Sequence, residues 1–208
     1  MKSPMAALAT SLIALLPATA AAVEEAVYSV LRKDGAMELR AYDASIVAET
    51  RVDADFEDAG NRAFRKLFRY IDGDNVTQRE IAMTAPVSQA PASEKIAMTA
   101  PVAQRPAAAG WVVSFMMPAS YSMETIPQPS DPAVQLRAVP AYRAAAIRYS
   151  GFWSEEGYQQ HLQELRSWIA AQNLEVVGEP VWARYDPPFK PWFMRRNEII
   201  IPVLKEGQ

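Results

Sequence analysis

The side chains available for chemistry are few, and their scarcity narrows what the chain can do. One histidine, His161, and no cysteine occur in 208 residues, so thiolate catalysis, disulfides, cysteine metal sites and any site needing two histidines are excluded. Eight glycines form neither a phosphate-cradling loop nor a G-x-S-x-G elbow. His161 falls among Tyr158, Leu162, Leu165, Trp168 and Ile169 at the border of an apolar helical face, the usual place of a structural histidine. What remains is surface for binding. Phe56, Gly60, Phe64 and Phe68 recur every four residues beside the ordinary core stripe Ala59, Ala63, Leu67 and Ile71, so this segment is apolar over more circumference than one sheet covers. Arg65, Lys66 and Arg69 stand beside the phenylalanines. An apolar slab edged with cations suits a flat apolar ligand bearing carboxylates: its body gains by desolvation, and each carboxylate meets a charge-assisted donor. The plainer reading of the same helix is phenylalanines packed under loops, with the cations as a solvated face.

A second unusual stretch lies near the C-terminus, from Tyr185-Asp186-Pro187-Pro188-Phe189-Lys190-Pro191-Trp192 to Arg195-Arg196-Asn197-Glu198. Prolines and aromatics together in a loop between strands make a stiff, partly exposed apolar projection, which loses less entropy on binding than a flexible loop. Phe189, Lys190 and Trp192 are assigned to binding, and the Arg-Arg-Asn-Glu run mostly to structure, as an ion-pair network.

The elements that must position these residues follow from periodicity. Apolar alternation through Met37, Leu39 and Ala41, and again through Ile46, Ala48 and Thr50, predicts strands between Val27 and Val52, with turns at Asp34-Gly35 and Asp43-Ala44. A helix is predicted from about Asp55 to Ile71, with acidic residues in its first turn and Gly73 as its stop. Trp111–Met117 alternates as a strand, and 123–132, with three prolines, reads as a loop between two halves. The second half repeats the order: a strand over Arg143–Tyr149, a helix opening at Ser154 and ending near Gln172-Asn173, then strands at Pro180–Tyr185 and Asn197–Val203. The expected architecture is α+β with pseudo-twofold duplication over about 26–122 and 133–204. A mainly antiparallel distorted barrel or sheet would be flanked by two long helices.

A shorter repeat is more specific. Ile81-Ala82-Met83-Thr84-Ala85-Pro86-Val87 recurs identically as Ile96-Ala97-Met98-Thr99-Ala100-Pro101-Val102. Each copy reads as a short strand ended by proline, which removes the ladder donor, so two edge corners are built alike. A methionine pair lining a cavity is the alternative reading.

These motifs carry a resemblance. The repeated I-A-M-T-A-P-V, the Tyr-Asp-Pro-Pro-x-Lys-Pro run ending in Arg-Arg-Asn-Glu, and the helix followed by Tyr70-Ile71-Asp72-Gly73 resemble the SOUL haem-binding family over nearly the whole chain after residue 22. The resemblance implies a distorted barrel with two helices. It also implies haem or another porphyrin held non-covalently in a shallow apolar groove beside the first helix and the proline-rich loop. Its pocket positions fall on Asn61, Phe64, Arg65, Phe68, Arg69 and Lys190. Asn61 stands where the resemblance implies a basic residue, and no histidine precedes His161, so the iron is expected to have no side-chain ligand.

Composition agrees with a single soluble binding domain: half the residues are apolar and 22% charged. Residues 1–22, with Lys2, an apolar run to Leu16 and the exit Pro17-Ala18-Thr19-Ala20, read as a signal peptide, which leaves a domain over 23–208 exported to the periplasm or beyond. Lys2 is that segment's only charge, so its removal takes the net charge from −3 to −4. Without a Lys/Arg run there is no footprint for nucleic acid, and no later stretch is long enough to cross a membrane. A monomer or weak dimer that carries or buffers a tetrapyrrole, without catalysis and without a metal site of its own, is the leading expectation. A tetrapyrrole-modifying enzyme and a module binding proteins or small effectors on the same scaffold are the competing ones.

Overall fold

The computed structural model describes residues 23–77 and 92–204. The signal-like segment and the first heptapeptide copy lie outside these. In chain order the elements are β1 (Glu24–Glu25), β2 (Tyr28–Asp34), β3 (Met37–Tyr42), β4 (Ser45–Val52), α1 (Phe56–Ile71), β5 (Asn75–Val76), β6 (Thr99–Ala100), β7 (Val102–Pro106), β8 (Trp111–Met116), β9 (Gln128–Pro129), β10 (Val134–Val139), β11 (Tyr142–Tyr149), α2 (Glu155–Ala171), β12 (Val181–Arg184) and β13 (Asn197–Val203). A single-turn 3-10 helix at Trp192–Met194 precedes β13.

Nine strands form one sheet in the order β10-β4-β8-β7-β12-β13-β11-β3-β2, every neighbour antiparallel. The fold is thus α+β as expected, and of the two forms expected it is the open sheet: β10 and β2 do not pair to close a barrel. Both helices cover one face, α1 over β4, β8 and β10, and α2 over β11 and β13. The two helix cores meet where Phe56 of α1 packs on Trp111, Tyr158 and Trp182. On the other face a smaller cluster of Tyr42, Ala144, Ala146, Ala183 and Ile200 follows the strand alternation.

Helix ends match their chemistry. Ser154 caps α2, its Oγ accepting from the Gly157 N–H at 3.2 Å, while Glu57 and Asp58 occupy the first turn of α1, where the dipole favours them. The proline-rich 123–132 segment is not wholly loop. Gln128–Pro129 pairs with Asn75–Val76, because Asn75, whose Nδ2 donates to the carbonyls of Tyr70 and Glu94 at 2.8 Å, fixes the chain leaving α1.

Ion pairs on the sheet make stability depend on acid. Burial alone would raise the Glu38 carboxyl, but hydrogen bonds from Lys33 and Arg40 outweigh it and hold the group below its ordinary 4.5. Burial opposes ionisation of Glu49 likewise, and Arg137 and Arg105 again win. A lowered carboxyl stabilises the fold above its unfolded value, and that contribution is lost as pH falls through the folded one. Tm is therefore expected to hold between pH 7 and 5 and to fall progressively below about 4.5. A Tm unchanged at pH 3 would refute the assignment.

Candidate functional site

Where α1, the second heptapeptide and the loop after β12 converge, they enclose an open apolar groove of about 530 Å³. Gly60, Asn61 and Phe64 of α1 form one wall, and Met98, Thr99, Ala100 and Val102 another. The loop from Tyr185 to Phe189 closes the third side, with Trp153 and Arg184 in the lining between. The heptapeptide wall is a corner: β6 ends at Ala100, the Ala100–Pro101 bond is cis, β7 begins at Val102, and the Thr99 hydroxyl donates to the Met116 carbonyl. Met98, 41% exposed, lines the groove from this copy. Its counterpart Met83 lies outside the described residues.

The aromatic surface continues past the groove along α1. Phe64 is half-buried against Phe115 at 5.3 Å, and Phe68 lies nearly parallel to it at 5.8 Å while remaining 42% exposed. Asn61, Phe64, Arg65 and Phe68 share one helix face at about 100° per residue. Arg65 is exposed on that face, and Arg69, a turn further on, pairs with Asp131 at 3.4 Å.

The loop is pinned rather than loose. Arg195 donates from Nε to the Lys190 carbonyl at 2.8 Å and from Nη2 to the Pro188 carbonyl at 2.6 Å. Asp186 accepts from Lys190 Nζ at 2.6 Å and from the Arg196 N–H. Burial would raise the Asp186 carboxyl, but these donors hold it below its ordinary range. Phe189, at the tip, is 86% exposed. Trp192 stacks on Phe152 at 5.0 Å and is not part of the groove lining. Of the residues singled out from sequence, Asn61, Phe64 and Phe189 therefore line the groove. Phe68 and Arg65 extend the α1 face, Lys190 anchors the loop through Asp186, and Arg69 and Trp192 hold other contacts.

The Arg-Arg-Asn-Glu run is structural, as its charge pattern indicated. Arg196 pairs with Glu198 at 3.0 Å and with Glu25 at 2.6 Å. Asn197 Oδ1 accepts from Trp153 Nε1 at 3.0 Å, which fixes the indole beside the groove. His161 sits elsewhere, on α2: its ring stacks on Tyr149 at 3.8 Å and Nδ1 lies 2.7 Å from the Gly157 carbonyl. Among the described residues no cluster of three or more His, Cys, Asp or Glu could hold a metal ion, and no helix is long and apolar enough to cross a membrane. Two lining residues went unremarked in the sequence, Trp153 and Arg184. The signal for Arg184 is its period-two spacing from Trp182, which puts a cation on the helix-covered face.

The family described as SOUL heme-binding protein matches residues 23–202. Heme-binding protein 1 of Xenopus tropicalis is 26% identical over 171 residues, 80% of this chain and 84% of the relative. Heme-binding protein 1 of Mus musculus is 27% identical over 170 residues, 81% and 84% of the two. Among solved structures, the EcmrR C-terminal domain superposes with a TM-score of 0.57 at 12% identity, over 86% of this chain and 99% of that one. A hydrolase from Listeria innocua superposes with 0.52 at 9% identity, over 84% and 94%. At such identities the structural likenesses speak to the fold alone.

Proposed function

The chain belongs to the SOUL heme-binding protein family, and from that membership we propose that it binds haem or a related tetrapyrrole non-covalently in the groove beside α1, as a carrier or buffer. The observation that carries this reading is the continuous aromatic surface from Phe64 inside the groove to the exposed Phe68, facing a loop already pinned by Arg195. A flat ring laid there removes apolar surface from water at about 25 cal/mol per Å². The groove's volume of about 530 Å³ lies within the usual range for small-molecule sites. Tetrapyrrole carboxylates need cations, and Arg65, Arg69 and Lys190 lie along the same helix face and loop. Asn61, Phe189 and Trp192 complete the proposed binding set, Trp192 by stacking that stiffens the loop. Export through the segment 1–22 would place this activity in the periplasm or outside the cell, with the protein as a monomer or weak dimer.

The iron is proposed to be a passenger. The chain's one histidine is committed to α2, with its ring on Tyr149 and Nδ1 at the Gly157 carbonyl, and the absence of cysteine leaves no thioether attachment. Affinity would then come from ring burial and carboxylate pairing, neither of which needs the metal. Iron-free protoporphyrin is expected to bind within about tenfold of haem, a difference of roughly 1.4 kcal/mol, and His161→Ala is expected to change neither. Tryptophan-quenching titrations with both porphyrins are the measurement. A preference for haem far above tenfold that vanishes in His161→Ala would overturn the passenger role, and no binding of either porphyrin would overturn the function.

A further inference from the structure

Arg184 is placed at evident cost and, among the described residues, has no hydrogen-bond or carboxylate partner to justify it. A four-residue step along α1, about 6 Å, matches a two-residue step along β12, about 6.6 Å. Phe56 therefore lies on Trp182, with centroids 4.6 Å apart, and Gly60 lies over Arg184. A Cβ at position 60 would stand 2.0 Å from Nη2 and 2.8 Å from Cζ of Arg184, so with any other residue there the guanidinium would have to leave this position. The helix carries this glycine in its second turn, where propensity disfavours it. Trp153 and Trp182 then hold the guanidinium at 5.0 and 4.9 Å from their ring centroids.

Arg184 is 8% exposed, yet its Nε has no hydrogen-bond partner and no carboxylate among the described residues pairs with it. Burial pushes its pKa down to about 10, with no opposing contribution. Arg40, 1% exposed, shows how this chain otherwise treats a buried guanidinium: Glu38, Glu198 and Tyr42 all contact it. Desolvating a cation without a partner is among the costlier things a fold can do. The groove opens onto Arg184. Asp186 also lines the groove, but its charge is met by Lys190 and the Arg196 N–H.

We propose that Arg184 is the receptor for a carboxylate of the groove's ligand, so that the ligand enters acid end first, with its apolar body between Phe64 and the Pro187–Phe189 turn. This rests on the groove being the tetrapyrrole site and deepens that reading: one carboxylate is buried on Arg184 instead of left at the surface cations. A planar guanidinium receives a carboxylate through two parallel N–H donors. A site built around such a group rejects analogues that lack the charge.

The test uses wild type and Arg184→Met, titrated by fluorescence with protoporphyrin IX, its dimethyl ester and 1-pyrenebutyrate, a flat apolar body with one carboxylate. Wild type is expected to favour the diacid over the diester by tenfold or more, and Arg184→Met to bind the two within threefold. The variant's Tm is expected to be no lower than that of wild type, because an unpaired buried charge has been removed. Arg184→Gln, read the same way, serves if the methionine variant is not folded. A variant that keeps the preference for the diacid overturns the proposal while leaving the groove intact. If wild type binds neither porphyrin, the tetrapyrrole reading fails separately and pyrenebutyrate decides: binding lost in Arg184→Met supports the receptor, and equal or absent binding in both proteins overturns it.

Discussion

Replacing Arg40 with methionine is expected to lower the stability of the fold by about 3–5 kcal/mol, because it leaves a buried charge with part of its compensation gone. For a domain of this size that is a fall of roughly 6–20 °C in Tm. Arg40 and Glu198 have side chains 1% and 0% exposed and meet through two contacts, Nη1 to Oε2 at 2.7 Å and Nη2 to Oε1 at 3.3 Å. Arg40 also donates from Nε to Glu38 at 2.8 Å and from Nη1 to the Tyr42 hydroxyl at 2.9 Å. Glu198 accepts further from the Tyr185 hydroxyl and Arg196 Nε, both at 3.0 Å. Burial raises the pKa of both tyrosines, so they stay neutral and keep their protons available as donors. Glu198→Leu would strand Arg40 in the same way. The double variant Arg40→Met/Glu198→Leu is expected to lose less than the sum of the two, since an apolar pair replaces a charged one. Urea unfolding of the three proteins is the measurement. Singles that each cost under about 1 kcal/mol would mean that water reaches the pair and screens it.

This network ties the fold to the candidate site. Arg196 and Glu198 belong to the run that follows the loop, and Tyr185, whose hydroxyl meets Glu198, begins it. Legibility in the sequence divides along the same line. The loop's prolines, the four-residue spacing of phenylalanines and the capping Ser154 are local patterns, and each marked its element within a residue or two. The β3–β11 pairing joins residues about a hundred positions apart, such as Leu39 and Ala145, and no local periodicity specifies such a contact or decides between a closed barrel and an open sheet. Arg184 was hidden for a stronger reason. Its significance is that no carboxylate among the described residues meets its buried guanidinium, and a missing neighbour exists only in three dimensions. The glycine at position 60 looked like one member of an apolar stripe, whereas its task is to leave room for that side chain.

The phenylalanines of that stripe should separate sharply when replaced, although their spacing makes them look alike. Phe56 is 3% exposed and touches Trp182, Trp111 and Tyr158 at 4.6, 5.3 and 5.1 Å between centroids. Phe56→Ala is expected to cost about 3–5 kcal/mol, the transfer loss plus the cavity left among rings that cannot collapse. Phe68 is 42% exposed and meets the ring of Phe64 at 5.8 Å, so Phe68→Ala should cost less than about 1 kcal/mol. The difference arises because β12 passes under the start of α1 and not under its end, which leaves the last aromatic of the stripe uncovered. Under the proposed function that uncovered ring is where a porphyrin edge rests. Losing an aromatic contact worth about 0.5–1.5 kcal/mol should then weaken protoporphyrin binding roughly two- to twelvefold. Phe64, half-buried against Phe115, should lose on both counts. Urea unfolding and porphyrin titration on the same preparations give the comparison. If Phe68→Ala destabilised the fold as much as Phe56→Ala, the exposed face would be core. If it left porphyrin affinity unchanged, the ligand would not extend along α1 beyond Phe64.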